Sequence, residues 1–263
     1  MIFYFSGTGN TKWAAEYIAA RTGERLVAIS DEPKGECSYT LADDERIGFC
    51  FPVHGWQPPA IFRRFIRRLN ITNGRGHYCF ILCTCGDTVG ETVKIFNEEL
   101  ERCGLHATAA VSLVMPESYV CLPFMYTDTK EREREKIEIA KGLLETFANE
   151  IINYTEGIER LKKGPTPRLY SYIIGGFFNK HMITDRPFRV DDSCIKCGLC
   201  ANVCPTDNII IGEDGKPQWL HEGDCTCCLA CYHRCPRHAI NYGKITKRRG
   251  QYYFKEEKAI KEL

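Results

Sequence analysis

Nowhere in the 263 residues does an uninterrupted apolar run approach the roughly 20 residues of a membrane span. The first strand-like run, "IFYF", begins at Ile2, which leaves no room for a signal peptide. No membrane-spanning segment is therefore expected, and the expected compartment is the cytoplasm. Net charge is almost absent, at +1. The basic residues form no dense run interleaved with aromatic residues, so nucleic acid is not an expected partner. Two common nucleotide signatures are also missing. The Gly-rich turn after the first strand has no Gly-Lys-Ser/Thr ending, and it lacks the Gly-x-Gly-x-x-Gly spacing of a dinucleotide fingerprint.

Cysteine, by contrast, is plentiful, with 16 residues. With no secretory signal expected, these thiols read as metal ligands or small buried hydrophobes in a reducing compartment. The charge that is present is unevenly spread. Residues 1–159 hold 17 Lys+Arg against 23 Asp+Glu, residues 160–190 hold 7 against 1, and residues 191–245 hold 5 against 7. A basic connector between two acidic blocks suggests that it docks onto them.

"SCIKCGLCANVCP" places Cys194, Cys197, Cys200 and Cys204 at gaps of two, two and three, with Pro205 following. Thirty-one residues later the same template selects Cys225, Cys228, Cys231 and Cys235, with Pro236 following. Cys227 falls out of register and reads as a spectator thiol. Cys-x2-Cys-x2-Cys-x3-Cys-Pro is the bacterial [4Fe–4S] spacing. Three thiolates in one tight loop wrap one face of a cubane, and the fourth, before proline, reaches the other cluster. The expected ligand sets are Cys194, Cys197 and Cys200 with Cys235, and Cys225, Cys228 and Cys231 with Cys204. Small neighbours (Gly198, Ala201, Ala230) let backbone N–H groups approach the sulfurs. Ile209 and Ile240, also thirty-one apart, should pack on the cubanes. Structural zinc, the competing reading, usually shows two separated Cys-x2-Cys pairs. Residues 188–245 resemble the bacterial two-cluster ferredoxin, which implies a small pseudo-symmetric α+β unit.

At the other end, a buried run at residues 2–5 leads into Ser6-Gly7-Thr8-Gly9-Asn10-Thr11. A helical pattern follows, with Trp13, Tyr17, Ile18 and Ala20 expected inside and Gly23 as its stop. Strand, hydroxyl-and-glycine loop and helix N-terminus make an anion site: glycines expose N–H groups, hydroxyls donate, and the helix dipole favours a phosphate. The loop resembles the flavodoxin phosphate loop, Ser/Thr-x-Thr-Gly-x-Thr. Strand–loop–helix recurs at "RIGFCFPVHGWQPPAIFRRFI" and "HYCFILCTCGDTVGETVKIF", and "LHATAAVSLVMP" reads as a fifth strand. Alternating strands and helices imply an α/β, doubly wound parallel sheet of five strands, with ligands at the carboxyl ends. The resemblance implies FMN, its ring held by the loops Pro52-Val53-His54-Gly55-Trp56 and Thr84-Cys85-Gly86-Asp87. Either Trp56 or His54 stacks on it. Cys50, Cys79 and Cys83 read as core, while Cys85 stands where short-chain flavodoxins usually carry an aromatic residue. The Arg63–Arg68 face is a solvated helix side or a contact for an acidic partner.

"TDTKEREREKIEIAKGLLETFANEIINYTEGIERL" reads as one long amphipathic helix with Ile137, Leu144, Phe147, Ile151 and Ile158 inward, and Gly164-Pro165-Thr166-Pro167 ends it. "LYSYIIGGFFNKHM" reads as interdomain packing, with attachment to a membrane surface as the competing view. The tail suggests a short strand and a helix. The expected domains are a flavin unit over 1–160, a connector over 161–187, a cluster unit over 188–245 and a tail over 246–263. The whole resembles the flavodoxin-domain/bacterial-type 2[4Fe–4S] ferredoxin fusion proteins. That resemblance implies electron transfer between FMN and two [4Fe–4S] clusters, with protein or small-molecule redox partners. Two other readings stand beside it: an FMN-dependent reductase of an organic substrate fed by the ferredoxin, and a redox sensor. A carrier is expected rather than a substrate-specific enzyme.

Overall fold

The computed structural model describes residues 1–32 and 35–255. The first part of the chain alternates strand and helix: β1 (Ile2–Tyr4), α1 (Asn10–Thr22), β2 (Leu26–Ala28), β3 (Cys37–Tyr39), β4 (Ile47–Pro52), α2 (Ala60–Ile66), β5 (Leu69–Ile71), β6 (Cys79–Cys85), α3 (Thr92–Leu100), β7 (Ala109–Val114), α4 (Lys130–Ile152) and β8 (Ile158–Arg160). Six of the strands form one sheet in the order β2-β1-β4-β6-β7-β8. Every pairing in it is parallel. The chain passes from β1 to β2 on one side and to β4 on the other, so the topological switch lies beside β1. Ligand crevices form there, at the carboxyl ends of the strands.

Both faces of the sheet are covered, which is why its central strands read as continuous apolar runs. Side chains alternate across the sheet. Phe49 and Phe51 of β4 and Ile81 and Cys83 of β6 point to the side of α2 and α3, where Phe62, Phe65 and Phe96 meet them. Cys50, Phe80 and Leu82 point to the side of α1 and α4, against Trp13, Ala14, Ile18, Leu144, Phe147 and Ile151. Cys50, Cys79 and Cys83 are fully buried in this core, as expected. Gly23 closes α1 in the left-handed conformation, its N–H donating to the Ala19 carbonyl. The inner face of α1 uses Ala14 and Ala15; Ala20, expected inside, is exposed.

Two expectations change. The sheet has six strands, not five, and the expected long helix stops at Ile152. A turn with Gly157 at φ +73 follows, and Ile158 lies on the sixth strand, pairing with Ala109 of β7. The apolar period of α4 runs on to Ile158 by coincidence of spacing, because a strand residue at the sheet edge needs the same burial.

The second part contains a helical stretch over 169–181 that ends in α5 (Gly175–His181). It is followed by β9 (Phe188–Val190), α6 (Leu199–Asn202), β10 (Ile209–Ile211), β11 (Pro217–Trp219), α7 (Ala230–Arg234) and β12 (Ile240–Tyr242). β9 pairs with β12 and β10 with β11, both antiparallel. The thirty-one-residue repeat extends to the backbone. Lys196 and Cys227, Gly198 and Leu229, and Asp207 and His238 are three such pairs, and all six residues have positive φ. Val120 and Cys121, from the segment after β7, are buried in the core of this second unit beside Phe188 and Tyr232. Of the tail, Thr246–Arg248 forms a single 3-10 turn and residues 249–255 run without regular structure, so no strand forms among its described residues; the expected helix lies outside them.

Gly48 is a point where the core dictates the sequence. It pairs with Phe80 across β4 and β6, and a Cβ at Gly48 would lie 2.2 Å from the Phe80 ring. Gly48→Ala should therefore destabilise the protein by about 1–3 kcal/mol through overpacking. The cost should shrink in a Phe80→Leu background, as measured by a double-mutant cycle of denaturant unfolding. Equal costs in the two backgrounds would show that the ring does not set the identity of residue 48.

Candidate functional site

The carboxyl ends of β1, β4, β6 and β7 open onto a cavity of about 370 Å3, within the usual ~300–1,000 Å3 range of cofactor pockets. Ser6, Gly7, Thr8, Asn10 and Thr11 line one end, and Pro52 to Trp56 and Thr84 to Asp87 line its sides. Of the fifteen residues expected at a flavin, Gly9 alone is not in the wall. It sits behind the loop at φ +96, where a Cβ would meet Phe254 at 3.0 Å.

The phosphate-type loop is built as an anion site. The N–H groups of the first turn of α1 have no partner within the helix, and that turn carries no acidic residue. Ser6 Oγ accepts from Gly9 N–H (3.1 Å), which leaves its own hydroxyl proton to donate. The other hydroxyls are partly committed. Thr11 Oγ1 lies 2.7 Å from Thr84 Oγ1, tying the first loop to the third, and Asn10 Nδ2 donates to the Pro116 carbonyl (3.3 Å). The donor set, the glycine cradle and the cavity fit an FMN with its phosphate at Ser6–Thr11.

The second loop is a tight turn. Gly55 and Trp56 both have positive φ, at +54 and +56, and His54 and Gln57 exchange backbone hydrogen bonds across them. Trp56 stacks on Tyr170 of the connector, with centroids 4.9 Å apart, and its indole N–H donates to Thr88 Oγ1. One face of that indole is therefore already covered. His54 lines the cavity with its ring steeply inclined to that of Phe5, and burial pushes its imidazole down to about 4, so the ring is neutral. Burial likewise pushes the Cys85 thiol up to about 12, and it is an unreactive wall residue at neutral pH.

Three parts of the wall were not read from the sequence. The loop after β7 supplies Met115, Pro116, Glu117 and Tyr119. It is tied to the buried Lys136 of α4, whose ammonium donates to the Met115 carbonyl (3.4 Å), to the Gly86 carbonyl (2.9 Å) and to Asp128 (2.6 Å), which in turn accepts from Glu117 N–H (2.8 Å). The connector supplies Phe178 and Ile183, and the second unit supplies Cys227, Cys228 and Leu229. A fifth strand whose end lies on the same sheet edge was the available signal for the first part. The other two depend on how the units dock, and no local pattern encodes that.

Cys194, Cys197, Cys200 and Cys235 line one small cavity, together with Ile240. Cys204, Cys225, Cys228 and Cys231 line another, together with Ile209. These are the two sets expected from spacing, each with its isoleucine. Among the described residues no three His, Cys, Asp or Glu side chains converge on a single-ion site. Four thiols arranged around a void suit a cubane. Cys227 lines neither of these cavities: its Sγ lies 3.1 Å from the Thr184 carbonyl, while its N–H approaches Cys225 Sγ at 3.4 Å. Ala239 N–H approaches Cys235 Sγ at 3.3 Å. Cys228 and Leu229 belong to the walls of both the large cavity and the second cysteine cavity. A Cβ on Gly7 would lie 2.7 Å from both the Cβ and the carbonyl oxygen of Cys228.

The units are further tied by the tail. Phe254 N–H donates to the Thr8 carbonyl (2.8 Å), the Phe254 ring stacks on Trp13, and the Tyr252 hydroxyl bonds Asn10 Oδ1 (2.7 Å). His233 of α7 is buried and neutral, its imidazole lowered to about 4 by desolvation. It accepts from Tyr252 N–H at Nδ1, so Nε2 carries the proton and donates to the Ser118 carbonyl (2.6 Å). Of the Arg63–Arg68 face, Arg64 pairs with Asp224 of the second unit (3.7 Å).

Comparison with known proteins finds domain models that match both ends of the chain. A flavodoxin domain model matches residues 1–117, and a 4Fe-4S dicluster domain model matches residues 181–240. A ferredoxin of Thermococcus litoralis is 42% identical over 50 residues, covering 19% of this chain and 83% of that protein. A ferredoxin-like protein in the nif region of Trichormus variabilis is 38% identical over 50 residues, 19% of this chain and 42% of that protein, so the match spans less than half of that relative. The crystal structure of a putative flavoprotein from Bacteroides uniformis overlays 43% of this chain and 88% of that one, at 19% identity and a TM-score of 0.35. With a flavodoxin domain at one end and a dicluster ferredoxin domain at the other, the chain belongs to the flavodoxin/ferredoxin fusion family, whose two domains bring FMN and [4Fe–4S] clusters.

Proposed function

We propose that the protein is an electron-transfer iron–sulfur flavoprotein that passes electrons between FMN and its two clusters and on to external redox partners in the cytoplasm. The observation that carries this reading is the shared wall: Cys228 and Leu229 face the flavin cavity on one side and a cysteine cavity on the other. When bound, FMN exchanges electrons in pairs or singly and each cubane carries one, so a chain holding both couples two-electron donors to one-electron carriers.

The chain's residues have distinct tasks in this scheme. Ser6, Thr8 and the first-turn N–H groups of α1 hold the phosphate, and the loops at Pro52–Trp56 and Thr84–Asp87 hold the ring, with neutral His54 facing it. Cys204, Cys225, Cys228 and Cys231 hold the nearer cluster, and Cys194, Cys197, Cys200 and Cys235 the farther one. The N–H groups of Cys227 and Ala239 that approach sulfur stabilise added negative charge there. Cys197 is exposed, which makes the farther site the one open to a partner. The working division into a flavin unit (1–160), connector (161–187), cluster unit (188–245) and tail (246–263) serves this scheme, with the tail acting as a strap across both units.

Anaerobically prepared protein should hold about eight irons as two cubanes. Cys227→Ser should keep them all, since its sulfur faces Thr184, whereas Cys225→Ser should lose a cluster. Equal losses in the two variants, measured by iron analysis and electron paramagnetic resonance, would overturn the ligand assignment.

In stopped flow, reduction of the flavin and bleaching of the clusters should be linked at a rate independent of protein concentration. Gly7→Ala collides with the Cys228 backbone and should slow that rate by about tenfold or more, as misplacement by about an ångström does in a preorganised site. A rate proportional to protein concentration would overturn the internal route. Rapid reduction of an organic acceptor while the clusters stay silent would instead support a reductase, the reading favoured by the apolar part of the cavity wall at Leu122, Met125, Phe178 and Ile183.

A further inference from the structure

The helical stretch over 169–181 carries its apolar residues on the wrong side for a segment that merely packs between domains. Its inner face is narrow. Ser171 is fully buried, its Oγ donating to the Trp56 carbonyl (2.8 Å) and accepting from Glu91 N–H (2.7 Å). Gly175 sits so close to Gly55 that a Cβ would lie 2.2 Å from the Gly55 oxygen, and Phe178 rests against Tyr119. The outer face holds Leu169, Tyr172, Ile173 and Phe177, with Ile173 65% and Phe177 62% exposed. Leu169, Ile173 and Phe177 recur at intervals of four through the π-helical turn of Leu169–Ile174 into α5 and form one exposed apolar stripe, with Tyr172 exposed beside it.

The charged residues that flank the stripe in sequence have one sign. Arg168 precedes its first residue, and Lys180 and His181 follow its last; all three are exposed. Neither Arg168 nor Lys180 has a carboxylate partner among the described residues, whereas Arg160, Lys162 and Lys163 are paired with Glu150, Asp87 and Glu159. The one carboxylate within residues 160–190, Asp185, is buried and held by Asn208 and His221. The connector thus offers solvent an exposed apolar stripe with cations at both ends and no exposed carboxylate of its own. That is the pattern of a helix lying in the headgroup layer of an anionic bilayer. A protein groove or a second copy of the chain would account for the apolar stripe without requiring unpaired cations at both of its ends.

We propose that the outer face of residues 168–181 is a membrane-surface docking element, which seats the protein on anionic lipid through Leu169, Tyr172, Ile173 and Phe177 with Arg168 and Lys180 on headgroups. No helix among the described residues is long and apolar enough to cross a bilayer, so the attachment is peripheral and reversible.

The test is co-sedimentation of the anaerobically prepared holoprotein with vesicles of phosphatidylcholine alone and of phosphatidylcholine with phosphatidylglycerol. The protein should pellet with the anionic vesicles, much less with the neutral ones, and high salt should release it. Ile173→Glu with Phe177→Glu should abolish pelleting, and Arg168→Glu with Lys180→Glu should weaken it about tenfold or more. Both pairs point outward, so each variant should retain its iron and flavin content, which is checked in the same samples. Absence of pelleting by the wild-type protein, or pelleting unchanged in the Ile173/Phe177 variant, overturns the proposal. So does a wild-type dimer in light scattering that the same variant converts to a monomer, since the stripe would then be covered by a second copy.

Discussion

The absence of a side chain at residue 7 is the constraint on which the arrangement of the two units rests. The loop that would hold the phosphate is also the surface against which the cluster loop closes, and no space remains for even a methyl group between Gly7 and Cys228. One residue therefore serves two demands. It lines the cavity as part of the first loop, and it lets a cysteine of the second repeat approach the end of the parallel sheet. A methyl group there displaces backbone rather than a flexible side-chain tip, so the resulting shift is shared by the whole interface.

That contact would be weak alone, and three other segments of chain hold it closed. The segment after β7 buries Val120 and Cys121 in the core of the cluster unit. The connector lays Ser171, Gly175 and Phe178 on the Trp56 turn. The tail returns across the junction, with Gln251 bonded to the Tyr232 and Cys235 carbonyls at one end and Phe254 on Trp13 and Thr8 at the other. His233 joins two of these segments because its neutral ring both donates and accepts. A protonated ring would have two donors, and the Tyr252 N–H would face one of them without an acceptor. A flexible Gly/Ser tether leaves domains independent; four separate crossings buried in both units make one body of them.

What the sequence made legible were the features with fixed spacing. Eight cysteines fell into two sets because a cubane imposes gaps of two, two and three, and a thirty-one-residue repeat doubles the pattern. The loops that line the cavity at the sheet's carboxyl edge were legible because each follows a buried apolar run and precedes a helical one. The sixth strand was missed because Ile158 continues the period of α4, and a three-residue edge strand is too short to show alternation. The loop at Met115–Tyr119 was missed because its place in the cavity depends on Lys136, a residue that looks like an ordinary member of a solvated charge run in "KEREREK". The tail was missed for a similar reason: its aromatic residues match no period, and they are fixed by what they touch across the junction. In the connector, composition marked an apolar segment, but which side faces the protein is set by Phe178 together with Ser171 and Gly175, two residues that carry no hydrophobic signal.

The cluster unit is symmetric in sequence and asymmetric in place. Cys194, Cys197 and Cys200 correspond to Cys225, Cys228 and Cys231, yet Cys197 is exposed where Cys228 is half-buried, and Cys200 is half-buried where Cys231 is buried. The left-handed positions diverge in the same direction. The outer loop uses Lys196 and Gly198 there, while the inner loop uses Cys227 and Leu229, both nearly inaccessible to solvent. Non-glycine residues in that conformation are costly, and the inner loop accepts the cost because their side chains fill the wall of the flavin cavity. Cys227 has a place in this pattern as a small apolar plug, with its sulfur turned to a carbonyl and its N–H to a neighbouring sulfur. Solvent exposure and N–H contacts to sulfur both set cluster potentials. Two copies of one motif, docked with one inside and one out, would therefore give clusters held there different surroundings, and the contact with the flavodoxin unit is one source of that difference.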